Sequence, residues 1–226
     1  MEKNPNLDED RFLVVDIETV ANERSADYFA SRKYEAASNL VDPKKIEANI
    51  AEKRAKDKAM APLSWWVGQI VCISANNPIT REKHSFAGKD ERQVITGFYD
   101  FLLKKYPMTM LTGKQTKDFD FPYLVGRSLA LDIGIPAHLR HPFEITDINQ
   151  IFGFSSSSQQ RTSLANYAFG IGIDGKSAHG SEMAGMYAKA CETGSFQEIQ
   201  DYCEQDTEIV AEMLRRYFKP YRSTKE

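Results

Sequence analysis

The most apolar short run of this chain, FLVVDIET over residues 12–19, ends in two acids, Asp16 and Glu18. The run is rich in β-branched and aromatic residues and has polar neighbours, which predicts a buried strand of a packed sheet. Residues i and i+2 of a strand point to the same face, so both carboxylates are expected side by side against the core. Two such acids repel each other and lose hydration unless protons or cations intervene. A strand end that puts both acids in solvent is the alternative.

Another acid falls inside the apolar stripe of a helix near the C-terminus. Ser195 and Glu198 fit a capping box, which predicts that a helix begins after Ser195. The stripe recurs at helical spacing through Ile199, Tyr202, Cys203, Ile209, Val210, Met213 and Tyr217. Asp206 lies within this stripe, although Glu204, Gln205, Glu208 and Glu212 occupy the face predicted to be solvated. Tyr202 precedes Asp206 by one turn on the same face. The alternative for Asp206 is a bond to a neighbouring backbone amide.

The third feature is Asp120, within the segment TGKQTKDFDFPYL over residues 112–124. Residues 107–111 predict a short strand before it, and Pro122 suits the first turn of a helix after it. Asp118 and Asp120 would then lie near the N-terminus of that helix, where an anion is favoured. Either acid could instead be a simple N-cap.

Taken together, these three segments resemble the motifs of a known superfamily of nucleases. Three patterns resemble, in order, the three motifs of the DEDD exonucleases. They are Asp16-Ile17-Glu18-Thr19, then Thr112-Gly113 with Phe119-Asp120-Phe121-Pro122-Tyr123-Leu124, and then Tyr202-x-x-x-Asp206. The tyrosine four residues before the last Asp is typical of the tyrosine-type subgroup, DEDDy. The middle motif is most similar to the proofreading exonuclease of family-B DNA polymerases, where Asn and an aromatic often stand at the places of Gln115 and Lys114. Residues 172–176 and 198–203 resemble stand-alone members, so the resemblance extends from Phe12 to Tyr217.

The resemblance implies an α/β, ribonuclease-H-like three-layer fold, with a mixed five-stranded sheet flanked by helices. The chain, residues 1–226, would be a single exonuclease domain, with a helical insertion or arm over about 21–68. It would hydrolyse phosphodiester bonds from the 3′ end of DNA and release nucleoside 5′-monophosphates. Single-stranded or frayed ends are the expected substrates, because a narrow acid-lined site must admit a terminal nucleotide out of its stack.

The expected chemistry uses two metal ions, Mg²⁺ or Mn²⁺, because clustered carboxylates offer the oxygen ligands that hard cations prefer. The resemblance implies that Asp16, Glu18, Asp120 and Asp206 hold the metals. Tyr202 would orient the attacking water through its hydroxyl, since a phenol is a poor general base at neutral pH. Candidate substrate contacts are Thr19, Lys114, Phe119, Phe121, Tyr123 and Lys176.

The remaining elements of the chain predict strands and helices around this site. Strands are expected over 70–74, 83–86 and 143–148, and helices over 93–105, 164–169 and 182–191. Asp42 and Pro43 predict the start of an alanine-rich helix that runs to about Met60. Its basic residues, for which a solvated face is the simplest explanation, are Lys44, Lys45, Lys53, Arg54, Lys56 and Lys58. Trp65 and Trp66 follow it, either as core residues or as rings that stack on bases.

Composition fits a nuclease of ordinary type without identifying one. The net charge of −3 does not favour nucleic-acid binding, but a metal-dependent nuclease concentrates acids at its site. The three cysteines lack ligand-like spacing and read as core thiols of a reducing compartment. No run of about eighteen apolar residues and no leader-like segment occurs, so we expect a cytoplasmic protein without a membrane span.

The expected partners are DNA 3′ ends and, beyond them, a DNA polymerase or a replication or repair protein. Three other functions are compatible with the sequence: an exoribonuclease of the same fold, a non-catalytic nucleic-acid-binding polymerase accessory module, and a structure-specific endonuclease. The complete set of four acids and a tyrosine argues against the non-catalytic module.

Overall fold

A four-stranded mixed sheet forms the middle layer of the protein. The computed structural model describes residues 12–140, 145–153, 162–173 and 182–219. The strands are β1 (Phe12–Ala21), β2 (Gly68–Asn76), β3 (Lys83–Ala87) and β4 (Met110–Thr112), in the order β3-β2-β1-β4. Strand β2 runs antiparallel to β1 and β3, whereas β4 runs parallel to β1. The strand that carries Asp16 and Glu18 is therefore central, as its apolar run predicts.

The predicted fifth strand over 143–148 is wrong for the residues that the structure describes. Ile145 forms a single parallel bridge with Leu111, and residues 141–144 lie outside the described ranges. Pairing stops because Asp147 caps a short helix, α5 (Ile148–Ile151), by accepting a hydrogen bond from the Asn149 backbone at 2.8 Å. The capped backbone turns into a helix, and no further ladder bonds can form.

Helices cover both faces of the sheet. On one face lie α3 (Glu91–Lys105) and α4 (Phe121–Ala130); on the other lie α6 (Leu164–Gly170), α7 (Met183–Thr193) and α8 (Gln197–Tyr217). Strand β1 serves both layers, since Leu13, Val15 and Ile17 pack with α3 and α4 whereas Val14 packs with α8. This alternation is the period of two that a strand requires. It directs Asp16 and Glu18 toward the α8 side.

Helix α8 differs from its prediction at both ends. Its N-cap is Phe196, without a side-chain bond, so the predicted capping box of Ser195 and Glu198 is wrong. Glu198 instead pairs with Lys189 of α7, its Oε2 lying 2.6 Å from the lysine nitrogen. Tyr217, predicted to face inward, is 54% exposed and is the last residue of the helix.

The face of α8 predicted to be solvated is half-buried and bonds to the sheet. Glu204 accepts a hydrogen bond from Ser85 of β3 at 2.6 Å, and Glu208 accepts one from Asn76 of β2 at 3.0 Å. Arg215 pairs with Glu208, which also lies 2.9 Å from the Lys83 nitrogen. These bonds fix the rotation of α8 about its axis, and thereby the direction of the residues on its buried face.

An insertion joins β1 to β2 and contains two helices, α1 (Ser25–Ser31) and α2 (Pro43–Ala59). Asp42 caps α2, as predicted, and accepts a hydrogen bond from the Lys44 backbone at 2.9 Å. Helix α2 buries no residue, although a small apolar cluster of Phe29, Ala61 and Val67 holds α1 against the segment that precedes β2. Within the described ranges, no helix has both the length and the apolar character that crossing a membrane requires.

Candidate metal centre

Three segments that are far apart in the sequence line one cavity of about 370 Å³. Strand β1 contributes Asp16 and Glu18, α8 contributes Tyr202 and Asp206, and the turn before α4 contributes Asp120. The remaining lining residues are Ile17, Lys114, Gln115, Phe119, Ser163 and Leu164. The structure thus brings together all five residues that the sequence predicts as catalytic.

The two acids of β1 face α8 from the middle of the sheet. Asp16 pairs in register with Ser74 of β2 and Glu18 with Cys72, and the register shifts immediately after Glu18. Both carboxylates are half-buried, so they are neither hidden in the core nor fully solvated. The alternative reading, acids at a strand end in open solvent, is therefore excluded.

The two residues of α8 are more deeply placed than those of β1. Tyr202 is 5% exposed and Asp206 7% exposed, and both belong to the buried face of the helix. An acid in this position loses most of its hydration, which is costly unless a cation or proton compensates. Burial at the cavity wall therefore favours a functional role for Asp206 over an acid at the edge of the stripe.

A tight turn carries Asp120 into the same cavity. A Cβ atom on Gly113 would lie 2.5 Å from the Val15 carbonyl oxygen, so only glycine lets the chain leave β4 this close to β1. Gln115 then adopts a left-handed conformation, with φ at +64°, and a π-helical turn spans Thr116–Asp120. Such turns place side chains at unusual angles and occur often at functional sites. Pro122 follows in the first turn of α4, as predicted.

Asp120 is buried, and its Oδ2 atom has no hydrogen-bond partner among the described residues. Burial, together with the negative charges of Asp147 and Asp206, raises the pKa of the Asp120 carboxyl to about 7. The Thr116 hydroxyl and Lys114 act in the opposite direction. A carboxyl that is costly to ionise in the apo protein is well suited to a site that a divalent cation completes.

This electrostatic arrangement predicts a pH-dependent stability of the metal-free protein. The folded Asp120 keeps its proton up to about pH 7, whereas the unfolded chain releases it near the ordinary pKa of 3.8. The stability that this proton contributes is full below about pH 4 and is lost as the pH rises to about 7. Asp120→Asn should therefore raise the thermal midpoint by several degrees at about pH 8 and by much less at about pH 4.

The control for this measurement is Asp118→Asn, which alters an exposed acid of the same turn and should change the midpoint little at either pH. An Asp120→Asn effect of equal size at both pH values would show that the carboxyl titrates normally.

Asp147 is an acid near the site that the sequence analysis did not select. It is 5% exposed, burial raises the pKa of its carboxyl, and its charge acts on Asp120. The sequence contains the same signal for Asp147 as for Asp16, an acid within an apolar run. The run around Asp147, residues 143–148, predicts a fifth strand and not a site. Because Asp147 does not line the cavity and caps α5, it influences the site through Asp120.

Cys203, which the sequence predicts as a core thiol, is buried but also lies against the candidate metal ligands Asp16 and Glu18. Its sulfur donates to the carbonyl oxygen and to Oδ2 of Asp16, each at 3.5 Å. Ligand atoms of Asp16, Glu18 and Cys203 lie within 4.8 Å of one another. Burial, the neighbouring Cys72 and the two acids raise the pKa of the Cys203 thiol. The thiol is therefore neutral and donates to Asp16.

The predicted substrate contacts separate into two groups. Lys114 and Phe119 line the cavity. Thr19 and Tyr123 do not, because both are buried and the Thr19 hydroxyl donates to the Pro62 carbonyl at 2.7 Å. Phe121 is partly buried and packs against the core cluster, and Lys176 lies outside the described residues. Thr19, Phe121 and Tyr123 therefore do not line the cavity of the acids, and contact of these three residues with a substrate stays a prediction.

The fold is similar to that of a solved polymerase. No family model matches this chain, and no similar sequence was found among curated proteins. One similar solved structure is the family B DNA polymerase from the hyperthermophilic archaeon Pyrobaculum calidifontis, with a TM-score of 0.55 and 16% sequence identity. The similarity covers 90% of this chain and 24% of the polymerase chain, so this chain spans about a quarter of that protein's length. At this identity the likeness concerns the fold alone, which is consistent with a ribonuclease-H-like domain.

Proposed function

We propose that this protein is a metal-dependent 3′→5′ exonuclease that removes nucleoside 5′-monophosphates from the 3′ end of DNA. One observation carries the proposal: Asp16, Glu18, Asp120 and Asp206 converge with Tyr202 on one cavity although they come from three separate elements. A purely structural role explains an isolated buried acid. It does not explain four acids facing one space, because each adds repulsion to the apo fold.

The residues present fit two divalent cations. Asp16, Glu18, Asp120 and Asp206 would hold Mg²⁺ or Mn²⁺ through carboxylate oxygens, and the buried Oδ2 of Asp120 is available as a ligand atom. When bound, the two ions supply a nucleophilic hydroxide at neutral pH and stabilise the oxygen that leaves. Asp120 must lose its proton for this role, so metal binding should tighten as the pH rises through about 7.

The other residues of the cavity would act on the substrate and the attacking water. Tyr202 would orient the water through its hydroxyl, and its buried ring keeps that hydroxyl in one direction. Phe119, on the cavity wall, would pack against the terminal base, and Lys114 would attract the terminal phosphate. A 3′ terminal nucleotide would leave its stack to enter a cavity of about 370 Å³, which favours single-stranded or frayed ends.

The direct test is time-resolved digestion of oligonucleotides labelled at the 5′ end, with and without Mg²⁺. Single-stranded DNA should shorten one nucleotide at a time, with release of nucleoside 5′-monophosphates, and a circular single strand should stay intact. Faster digestion of a matched RNA would reassign the substrate to RNA. Cleavage of the circle would identify an endonuclease, and no metal-dependent product on any substrate would reject catalysis.

The exposed lysines at the end of α2 allow a test of whether this helix binds DNA beyond the active site or is only a solvated face. Lys53 and Arg54 serve within the insertion: Lys53 donates to the Glu35 carbonyl at 2.8 Å, and Arg54 lies over the Tyr34 ring at 5.3 Å. Lys56 and Lys58 lie exposed in the last turn. Reversing both to Glu should raise KM on long single strands and lower the slope of log KM against log salt by up to about 1.4, or 0.7 per phosphate contact.

The rate on a short oligonucleotide that reaches only the acids should change little in this variant. Lys104→Glu, an exposed lysine in the last turn of α3, is the matched control. If KM and its salt slope stay at wild-type values on the long strand, α2 is only a solvated surface.

A further inference from the structure

Two tryptophans stand exposed at the mouth of a second cavity, of about 570 Å³. Trp65 is 39% and Trp66 52% exposed, and their rings meet edge to face with centroids 5.9 Å apart. Tyr28 of α1, 38% exposed, lines the same cavity. Three large aromatic residues thus remain accessible at one place, where core packing would have buried them. This surface, formed by Tyr28, Trp65 and Trp66, is called the aromatic face below.

The aromatic face is held rigidly against the body of the protein. A Cβ atom on Gly126 would lie 2.6 Å from Cγ of Trp65, so glycine lets the indole ring lie directly against α4. Arg127 donates to the Trp65 carbonyl at 3.0 Å and also binds Glu91 in a buried ion pair. Glu91 in turn accepts a hydrogen bond from the Ile70 backbone at 2.7 Å. The tryptophan segment is therefore fixed before any ligand arrives, which lowers the entropic cost of binding.

Charge near the aromatic face is mixed, with exposed cations available. Arg24 lines this cavity and an adjoining one of about 440 Å³, which Lys89 also lines. Glu91 is occupied by Arg127, and Asp90 caps α3 by accepting from the Arg92 backbone at 3.0 Å. Glu23 and Asp27 balance part of the positive charge, so the rings, more than the charge, define what binds.

Helix α4 connects the aromatic face to the candidate metal centre. Asp120 lies at the N-terminal end of α4, and Arg127 follows it by seven residues, which is about 10 Å along the axis at 1.5 Å per residue. Phe119 at the start of the helix and Trp65 beside its second half thus lie along one element. A strand whose end occupies the acid cavity would meet the aromatic face if its upstream nucleotides follow α4.

We propose that the aromatic face is a second binding site, on which bases of single-stranded nucleic acid stack upstream of the 3′ end. The proposal rests on the proposed function for the position of that end. Nucleobases are the ligands that fit, because every base offers a flat π-face to an exposed, prefixed ring whatever its sequence. Arg24, which lines the same cavity, and Lys89, which lines the adjoining one, would interact with the connecting phosphates.

Intrinsic fluorescence tests the proposal directly, because Trp65 and Trp66 are the only two tryptophans of the chain. The protein, residues 1–226, is titrated with oligothymidylate in EDTA, so that no hydrolysis occurs. Anisotropy of a label on the oligonucleotide records binding independently. An oligonucleotide of about twelve nucleotides should quench the emission with the same midpoint as the anisotropy, whereas one of about three should quench it weakly.

Trp66→Ala should weaken binding of the longer oligonucleotide about tenfold or more, and Trp66→Phe should restore most of the affinity. Trp66 is preferred to Trp65 because half of its side chain is already exposed, so its loss should not disturb α4. The matched control is Phe169→Ala, which removes an 86% exposed ring and should bind the oligonucleotide normally. Phe169 lies near the C-terminal end of α6, whereas the cavity residue Leu164 lies at its N-terminal end.

Binding seen by anisotropy without quenching would overturn the proposal, and so would wild-type affinity in Trp66→Ala. A change of sedimentation coefficient in Trp66→Ala at unchanged DNA affinity would identify the face as an interface between copies instead. The fluorescence titration needs neither metal nor turnover, so it tests the aromatic face independently of the exonuclease proposal. Failure of the exonuclease proposal would appear in the digestion experiment, as absence of metal-dependent monophosphate release.

Discussion

Asp16→Ala and Asp206→Ala should each reduce metal-dependent release of monophosphates by about a thousand-fold or more, while the protein stays folded. Each substitution removes carboxylate oxygens from a shared site, and a loss of this size corresponds to about 4 kcal/mol of transition-state stabilisation. The fold should survive because removing one of several facing negative charges relieves repulsion in the apo protein. Thermal midpoints in EDTA should therefore equal or exceed that of the wild type.

The matched control is Asp201→Ala on the same helix. Asp201 is exposed on the solvent side of α8, where its Oδ1 atom accepts a hydrogen bond from the Gln197 amide nitrogen at 2.8 Å. Its loss should leave turnover within a few-fold of the wild type. Wild-type turnover in Asp16→Ala or Asp206→Ala would remove the metal assignment, whereas a large fall of the apo midpoint would mean that these acids hold the fold together.

Tyr202→Phe should lower turnover about ten- to a thousand-fold, while oligonucleotide affinity in EDTA changes little. The ring of Tyr202 packs in the apolar cluster between β2, α7 and α8, and phenylalanine preserves that packing. Only the hydroxyl is lost, and a missing orienting hydrogen bond in a catalytic site costs about 1 to 4 kcal/mol. The loss should appear in kcat, because the contact acts on the water and not on the strand.

Tyr187→Phe provides the comparison for a hydroxyl removed elsewhere. The Tyr187 hydroxyl accepts a hydrogen bond from Gln69 at 2.9 Å, in the same apolar neighbourhood but away from the acids. This variant should turn over at the wild-type rate. If Tyr202→Phe does the same, Tyr202 is a core residue that happens to occupy the motif.

Those parts of the site that follow from local periodicity were predictable from the sequence. The same-face placement of Asp16 and Glu18 needs only the period of a strand, and the inward position of Asp206 needs only the stripe of α8. Resemblance added what periodicity cannot supply, namely that these segments meet. The turn before α4 was foreseen through Pro122, but its π-helical geometry and the left-handed Gln115 were not.

Features set by tertiary contacts could not be read from the chain. Thr19 and Tyr123 belong to the motifs, so the sequence does not distinguish them from the residues of the cavity. Packing against the insertion and the core buries both. Asp147 stops the fifth strand because its capping bond competes with further pairing. The basic run of α2 does not reveal that Lys53 and Arg54 bind neighbours within the insertion.

The insertion has consequences for how such a protein can change over evolution. Its two ends are neighbours in the sheet, since Ala21 pairs with Gly68 and the Asn22 backbone donates to the Val67 carbonyl at 2.9 Å. The residues between these two ends thus form one long connection between neighbouring strands. The entropic cost of closing such a connection grows only with the logarithm of its length. Helix α2, which buries no residue, can thus be lengthened, recharged or lost without repacking the layers that hold the acids. The proposed contacts of α2 with a strand and the proposed chemistry of the acids can therefore evolve separately.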